Sequence, residues 1–574
     1  MSRIHLGLLD WSIIAAVLVF ITGAGLVLSR RAEKDSAAFF LGGRAMPWWL
    51  LGTSMVATTF ATDTPNLVTG LVRQNGVAAN WSWWAFLITG MLTAFIYARL
   101  WRRLGVTTDI EFYELRYSGR PAAFLRGFRA VYLGLFFNIL VMANVTLALV
   151  KYGNVLFGLP PLLIVAVAGL VTVVLSASGG LLGVLVTDFF LFLISMAGSI
   201  AAAWFALGHA GAGGLDGLMH NTAVLDKRSF LPDFSDPDQY VPLFMVPLLL
   251  QWWSAWYPGA EPGGGGYVAQ RMLAAKDEAN ATGAVVLFNI AHYALRPWPW
   301  IIVALASLVV FPDLASLKAA LPHVDPSLIL DDLAYPAMLT LLPAGLIGLV
   351  VASILAAYIS TISTMLNLGS AYLVNDVYAR FLAPGVSERA RVRAGQVVTV
   401  ALMVLAALLA LMLQSAMQAF RLLLAIGAGT GLLFFLRWFW GRINAWSEIS
   451  AMVFSLLSAT GLELFAPPAL HTWQRFALTV ALTTLGWIVV TMLTPRTDAH
   501  KLAAFRAHIA RHGASASAGL KVHALSAVIA TLGVYGLLFA IGAALYGQWP
   551  LAALTVVAIG AGVAMAARMR ATPA

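Results

Sequence analysis

The sequence has no cysteine and few charges, since Asp, Glu, Lys and Arg make up only 10% of its 574 residues. The absence of thiols excludes disulfides, cysteine nucleophiles and cysteine-ligated metals. A soluble domain carries about 25% charged residues, so the low charge argues against a cytosolic enzyme, a nucleic-acid-binding protein or a disordered scaffold. The ten histidines are scattered, and no H-E-x-x-H or paired-carboxylate motif is present. A membrane-embedded enzyme would need such a constellation, so we expect no enzyme.

Hydrophobic residues, by contrast, make up 60% of the chain. Apolar runs of about 20 residues recur from end to end, and each is long enough to cross a bilayer as a helix. The sequence therefore predicts an all-α polytopic membrane protein. We predict about fifteen spans, near residues 9–29, 47–74, 80–104, 127–152, 160–178, 181–208, 240–267, 282–312, 344–372, 393–414, 418–438, 447–465, 474–495, 523–546 and 549–568.

The distribution of basic residues orients these spans. With the N-terminus outside, 26 of the 35 Lys and Arg residues fall in inner loops and 8 fall in outer ones. Positive charge in the inner loops is the rule for membrane proteins, and it also accounts for the net charge of +10. Because fifteen is odd, we expect the C-terminus inside. The first span is followed by Arg30-Arg31 and has no cleavage pattern, which favours a retained helix over a signal peptide.

Two spans are interrupted by polar or helix-breaking residues. The span 47–74 contains Asp63 and Pro65, and the span from Tyr240 meets the Pro- and Gly-rich run 258–266. Each interrupted span opens a set of five spans, 47–208 and 240–438, and the odd number per set gives the two sets inverted topology. Paired broken helices in inverted repeats indicate the binding site of a secondary transporter. Residues 1–46 are then an extra N-terminal span with its inner linker, and 447–574 are accessory spans.

One helix face in the span 344–372 is polar. Ala357, Ser360, Thr361 and Thr364 follow the i, i+3, i+4, i+7 spacing of a single face, and Ser363 lies beside them. Hydroxyl oxygens and carbonyls freed by an unwound helix suit a hard cation such as Na⁺. Small hydroxyl residues also serve plain helix packing in membranes, so this face alone leaves both interpretations open.

Four segments resemble the sodium/solute symporter family, which includes the sodium/glucose, proline and sialic-acid symporters. They are 39–49 (FFLGGRAMPWW), 180–188 (GLLGVLVTD), 267–276 (YVAQRMLAAK) and 356–378 (AAYISTISTMLNLGSAYLVNDVY). The resemblance implies a LeuT-like five-plus-five inverted repeat, here with one extra N-terminal helix and about four extra C-terminal helices. It also implies Na⁺ as the coupling ion and a place in a plasma membrane, which we expect to be a bacterial inner membrane.

The resemblance also assigns two sodium sites. The main site would use the carbonyls of Ala57, Phe60 and Ala357 and the hydroxyls of Ser360 and Thr361. A second site, present in some family members, would use the Asp188 carboxylate with the hydroxyls of Ser360, Ser363 and Thr364. Asp188 has a simpler alternative as a helix-packing carboxylate near the inner surface.

Substrate residues are assigned in the same way, at positions where the sequence departs from the sugar transporters. The matching positions are Asp63, Thr64, Trp81, Ser82, Glu261, Gly265, Tyr267 and Arg296. Ser82 replaces the carboxylate of an aromatic–carboxylate pair, and glycines at 263–266 replace polar side chains. Asp63 could instead cap a half-helix, Glu261 could face the outer vestibule or pair with Arg296, and Arg296 could snorkel or balance a buried acid. A guanidinium suits carboxylates and vicinal hydroxyls, which favours a sugar or a sugar-derived acid.

The sequence thus favours a sodium-coupled symporter that imports a small polar solute and requires a lipid bilayer but no nucleic acid. One alternative is a membrane sensor that binds sodium and ligand without transport. Another is a proton-coupled transporter of an organic acid or amino acid, with Asp63 and Asp188 as relays. The substrate, the number of sodium ions and the oligomeric state stay open.

Overall fold

The computed structural model describes residues 6–32, 40–209, 211, 213–254, 261–413, 427, 429–467, 469–510, 519–557 and 559–560. Helices dominate these residues, and the only β contact among them is an isolated bridge between Met46 and Ala275. The all-helical class predicted from the sequence is confirmed for the described part of the chain.

Fourteen helices, α1 to α14, form the main body. In chain order they are Leu8–Ala32, Trp48–Thr59, Asp63–Asn75, Val77–Leu104, Gly119–Phe157, Pro161–Gly208, Gly266–Ala274, Glu278–Val310, Leu346–Leu382, Glu388–Ala410, Ala445–Phe465, Thr472–Leu493, Ala499–Ile509 and Leu520–Leu545. Shorter helical segments connect them: Phe112–Arg116, Gly214–His220, Thr222–Leu225, Pro237–Tyr240, Val246–Leu249, Leu314–Ala320, Ala334–Leu339 and Gly431–Leu436. Helix α9 packs along α6 and against α1, α2, α5 and α10, so it lies at the centre of the fold.

The first predicted interruption separates α2 from α3. Helix α2 ends at Thr59, and Phe60 leaves the helical region with φ −86° and ψ 62°. Helix α3 restarts at Asp63, which places Pro65 in its first turn. The first turn of a helix has no use for a backbone donor, so proline is tolerated there although it would break a continuous helix. The sequence therefore located this break correctly.

The second predicted interruption precedes α7. A short turn ends at Trp253, and the next helix begins at Gly266. Gly263, Gly264 and Gly266 have φ of 79°, 89° and 53°, in the left-handed region where a side chain is strained. The glycine run therefore permits a backbone path that other residues would disfavour. Residues 255–260, which contain the Pro-Gly part of the predicted break, lie outside the described residues.

The predicted spans 160–178 and 181–208 both lie within α6, Pro161–Gly208. Within this helix, Leu181–Gly208 is long and apolar enough to cross a membrane, and Pro161–Val174 is a shorter apolar helix. The division of this region into two spans stays a prediction.

Within the described residues, nine helices are long and apolar enough to cross a membrane. They are Val77–Leu104, Gly119–Phe157, Leu181–Gly208, Glu278–Val310, Leu346–Leu382, Glu388–Ala410, Ala445–Phe465, Thr472–Leu493 and Leu520–Leu545. The broken helices are too short to count singly, and parts of the predicted spans 418–438 and 549–568 fall outside the described residues. The total of fifteen spans and the orientation of the termini stay predictions.

Candidate ion and solute site

The polar face of α9 lies against the end of α2. The Thr361 hydroxyl donates to the carbonyl of Thr58 at 2.8 Å, and the hydroxyls of Thr58 and Thr364 are 3.2 Å apart. Thr361 and Thr364 are fully buried. The polar face that the i, i+3, i+4, i+7 spacing predicts therefore contacts α2 at the helix break and is not exposed to lipid.

The predicted main sodium ligands come from this contact. Phe60 N–H closes the last turn of α2 on the carbonyls of Val56 and Ala57, at 2.9 and 3.1 Å. A helix C-terminus carries partial negative charge, and its carbonyls have spare lone pairs. The hydroxyls of Ser360 and Thr361 are buried one turn beyond Ala357. Uncharged oxygens of this kind fit a hard monovalent cation, so Ala57, Phe60, Ala357, Ser360 and Thr361 are suited to hold Na⁺.

Asp188, from α6, lies beside the same face. Its two carboxylate oxygens accept hydrogen bonds from Ser54 and Ser360, each at 2.5 Å. The Ser363 hydroxyl donates instead within its own helix, to Ile359 carbonyl at 2.5 Å. Asp188 thus joins α2, α6 and α9 at a fully buried point.

A buried arginine shares the predicted second sodium site. Arg271 in α7 donates to the Thr364 hydroxyl at 2.9 Å and to Ser54 at 3.1 Å. Its guanidinium also lies 3.8 Å from the Asp188 carboxylate, with both side chains fully buried. The structure brings Asp188, Ser360 and Thr364 together as the sequence predicts, but it adds a positive charge that the sequence analysis did not assign. An arginine inside an apolar half-helix was the available signal.

Asp63 and Thr64 begin α3, just past the break. Asp63 accepts a hydrogen bond from the Asn144 amide of α5 at 2.6 Å. The Thr64 hydroxyl reaches back to the Thr59 carbonyl at 3.4 Å. Asp63 is partly exposed, which is compatible with a contact to a solute. Asn66, one turn later, is fully buried, and its amide atoms have no hydrogen-bond partner among the described residues.

Arg296 takes part in a three-residue polar contact at the end of α2. It donates to the Thr59 hydroxyl at 3.0 Å and to Nε2 of His292 at 3.1 Å, while Nδ1 of His292 lies 2.9 Å from the same hydroxyl. A guanidinium can only donate, so Nε2 must accept and the imidazole proton sits on Nδ1. The histidine is therefore neutral, and it orients the Arg296 fork beside the helix break. The Arg296 guanidinium also lies 5.3 Å from the centre of the Trp300 ring.

The remaining predicted substrate residues lie in other surroundings. The Trp81 indole donates to the Phe230 carbonyl at 2.9 Å and packs on Tyr535 of α14, whereas Trp83 contacts His292. The Ser82 carbonyl accepts a hydrogen bond from Gln251. Trp83, and not Trp81, therefore lies against His292, which accepts a hydrogen bond from Arg296.

Glu261 lies beside an arginine of α5. Its carboxylate lies 3.8 Å from Arg129 of α5, and both side chains are buried. Gly265 is backed by the Glu261 side chain, which leaves no room for a Cβ. Tyr267 is fully buried, and the Arg271 guanidinium lies 5.9 Å from its ring centre. The three residues surround the start of α7, and the charge of Arg296 also acts on Tyr267.

Two ion pairs join the segment 313–343 to the first half of the chain. Lys151 of α5 lies 2.8 Å from Asp332, and Arg73 of α3 lies 3.0 Å from Asp331. Arg73 also donates to the Phe311 carbonyl at 2.8 Å. Neither Lys151 nor Arg73 was assigned a role from the sequence. A lone cation near the end of an apolar span was the signal that the sequence offered.

The amino-acid sequence is similar to those of several known proteins. A sequence profile of the sodium:solute symporter family matches residues 39–454. The sodium/glucose cotransporter of Vibrio parahaemolyticus is 26% identical over 506 residues, which are 84% of this chain and 90% of that protein. The sodium/sialic acid symporter of Proteus mirabilis is 24% identical, over 79% and 89% of the two chains. Human sodium/myo-inositol cotransporter 2 is 26% identical, over 78% and 69%.

One solved structure is similar in fold. It is a Na⁺-coupled sialic acid symporter in a substrate-bound, outward-open state, with a TM-score of 0.67 and 20% sequence identity. The match covers 86% of this chain and 99% of the solved one. At this identity the likeness concerns the fold and leaves the ligand of this chain open.

Proposed function

Because the chain belongs to the sodium:solute symporter family, we propose that it carries a small polar solute inward with Na⁺ by alternating access. The solute binds beside the two helix breaks, and the sodium ion binds between α2 and α9. The family and the relatives named above are transporters, which supports a transport function rather than an enzymatic one.

The observation that carries this proposal is the contact between the polar face of α9 and the broken end of α2. It puts the Thr361 hydroxyl 2.8 Å from the carbonyl of Thr58, in the last turn of α2 before Phe60. A site shared by two helices is sensitive to their relative position. Sodium bound there stabilises one arrangement of α2 and α9 over others, which is the requirement for coupling an ion to a conformational change.

We further propose the inverted five-plus-five arrangement for this chain. Repeat one is 47–208 and repeat two is 240–438, with residues 1–46 and 447–574 as additions. The two interrupted helices and the similarity to the sialic acid symporter fold support it. The N-terminus outside, the C-terminus inside, fifteen spans and a bacterial inner membrane belong to the same proposal.

For the solute we propose a sugar or a sugar-derived acid. Arg296, held by Thr59 and neutral His292, presents a guanidinium at the first helix break. Such a fork matches a carboxylate or vicinal hydroxyls. Asp63 and Asn144 add an acceptor and a donor on the other side of the break. Five further residues stay predicted solute contacts: Glu261, Gly265, Tyr267, Trp81 and Ser82.

The sodium site is tested by thermal unfolding of the purified protein during a titration with NaCl, at constant ionic strength with choline. A ligand of the folded state raises the melting temperature in proportion to its binding free energy. Thr361→Ala should raise the half-saturating sodium concentration about tenfold, since one polar contact contributes about 1–1.5 kcal/mol. Ser370→Ala is the matched control, because its hydroxyl lies on the same helix and donates to the Gly395 carbonyl.

If a Ser360→Ala/Thr361→Ala double variant keeps the sodium response of the unaltered protein, the site assignment is wrong. Uptake into proteoliposomes then separates the rival functions. Accumulation of a radiolabelled sugar acid driven by a sodium gradient supports symport. Accumulation driven only by a proton gradient would favour the proton-coupled alternative, and binding without accumulation would favour a sensor.

A further inference from the structure

Arg271 lies in the second half-helix, α7, and its side chain has no exposed surface. Four of its contacts involve polar groups. Nη2 donates to the Thr364 hydroxyl at 2.9 Å and to Ser54 at 3.1 Å, Nη1 donates to Gln270 at 2.7 Å, and Nη2 lies 3.8 Å from Asp188. The guanidinium is thus held in one position by groups from α2, α6, α7 and α9.

These contacts coincide with the predicted second sodium site. Two of its four predicted ligands, Asp188 and Thr364, face the guanidinium. The third, Ser360, is also a ligand of the proposed main site, and the fourth, Ser363, donates its proton to the Ile359 carbonyl of its own helix. As arranged, the residues therefore fit a guanidinium better than they fit a second metal ion.

The charges lead to the same conclusion. A buried carboxylate needs a compensating positive charge, and Asp188 already has one in Arg271. A sodium ion bound to the same carboxylate would lie close to the guanidinium in a medium of low dielectric constant, where like charges repel strongly. The cluster of Asp188, Arg271 and their hydroxyl partners is neutral without a metal.

We propose that Arg271, and not a second sodium ion, is the cation of Asp188, so that this protein couples its solute to a single Na⁺ at the main site. This inference rests on the proposed symporter function. Arg271 acts here as a tethered cation, since α7 fixes its position while it bonds to Ser54 of α2 and Thr364 of α9.

The test counts sodium ions on the purified full-length protein by equilibrium binding of ²²Na⁺. The unaltered protein should bind one ion per chain. Arg271→Lys keeps the charge and should also bind one. Arg271→Gln frees the Asp188 carboxylate and should bind two, and the extra ion should disappear when Asp188→Asn is added. That double variant replaces the ion pair by a neutral pair of similar shape, so it should bind one ion with an affinity within about threefold of the unaltered protein.

Two ions on the unaltered protein, with one lost in the neutral double variant, would overturn the inference and restore the second sodium site. One ion on Arg271→Gln would overturn it too, since the arginine would then exclude nothing. If Arg271→Gln does not fold, the comparison of the unaltered protein with the neutral double variant still decides, because the inference expects one ion on each and a second sodium site expects two ions and then one. No sodium on the unaltered protein would instead contradict the proposed function, and the two failures are therefore distinguishable.

Discussion

Asp10, in the extra N-terminal helix α1, caps the helix that carries the sodium face. Its Oδ1 accepts from the backbone N–H groups of Gly345 and Gly348, at 2.6 and 2.9 Å. Its Oδ2 accepts from the N–H of Gly7 at 2.9 Å. Asp10 is fully buried, and Gly348 has no room for a Cβ because α1 lies directly against it. A carboxylate at a helix N-terminus also meets the positive end of the helix dipole.

Replacing Asp10 by alanine would leave the buried Gly348 donor and the half-buried Gly345 donor without an acceptor. Each unsatisfied donor costs about 1–3 kcal/mol, so we expect Asp10→Ala to lower the free energy of unfolding by about 3–5 kcal/mol. Asp10→Asn keeps the oxygen that accepts from Gly345 and Gly348 but loses the charge and the acceptor of the Gly7 N–H, for which we expect about 1–2 kcal/mol. Ala357 lies nine residues beyond Gly348, about 14 Å along the helix, so the sodium affinity of the folded protein should change little.

Thermal unfolding in detergent, with and without sodium, measures both quantities at once. The control is Ser12→Ala, because Ser12 is an exposed residue of the same helix that bonds only locally, to the Leu9 carbonyl. We expect the unaltered protein and Ser12→Ala to have the highest melting temperatures. Asp10→Asn should melt at a lower temperature, and Asp10→Ala at the lowest. An Asp10→Ala protein that melts with Ser12→Ala would refute the capping argument. A protein that folds normally but no longer responds to sodium would show that α1 acts on the site itself.

Three other residues give independent tests. Arg296→Lys replaces a two-pronged donor by a point charge, so it should weaken solute binding by about tenfold or more while sodium affinity stays within about twofold, as measured by calorimetry. Asp332→Asn leaves Lys151 buried without its anion, so it should open the outer side of the protein. The opening should raise the maleimide labelling of a single cysteine introduced on that side, and the chain has no cysteine of its own that would have to be removed first. Partial burial opposes ionisation of Glu114, but hydrogen bonds from two arginines lower its pKa below the ordinary 4.5. The stability it contributes is therefore complete above that value and is lost as the pH falls through the lower folded pKa, so Glu114→Gln should reduce the melting temperature at pH 7 but not at strongly acidic pH.

The sequence predicts the parts of this site that depend on local rules. Proline, glycine and a mid-span acid mark the two helix breaks, because these residues cannot continue an apolar helix. The spacing of Ser360, Thr361 and Thr364 identifies the face of α9, because helical periodicity is local as well. Both features are present in the structure.

The partners of these groups could not be predicted in the same way. Asp188 and Arg271 are 83 positions apart, and Asp10 and Gly345 are 335 apart. Such pairs depend on how helices pack, and one sequence contains no direct record of packing. Trp81 and Trp83 illustrate the same limit. They point to different sides of their helix, and the packing of that helix decides which indole contacts His292. The sequence does show an isolated charge inside an apolar segment. Such a charge needs a partner, but the sequence does not identify which residue it is.

Ser360 connects the proposed sodium site with the ion pair. Its hydroxyl donates to Asp188 at 2.5 Å and retains lone pairs for the sodium ion, since a hydroxyl donates once and accepts twice. The main site therefore lies next to a pair whose charges cancel, and single substitutions of that pair should have opposite effects. Asp188→Asn leaves the Arg271 charge beside the site and should weaken sodium binding. Arg271→Gln leaves the carboxylate and should strengthen the binding of the first sodium ion. Equal signs for the two variants would mean that they act through packing, because only an electrostatic effect reverses with the sign of the charge removed.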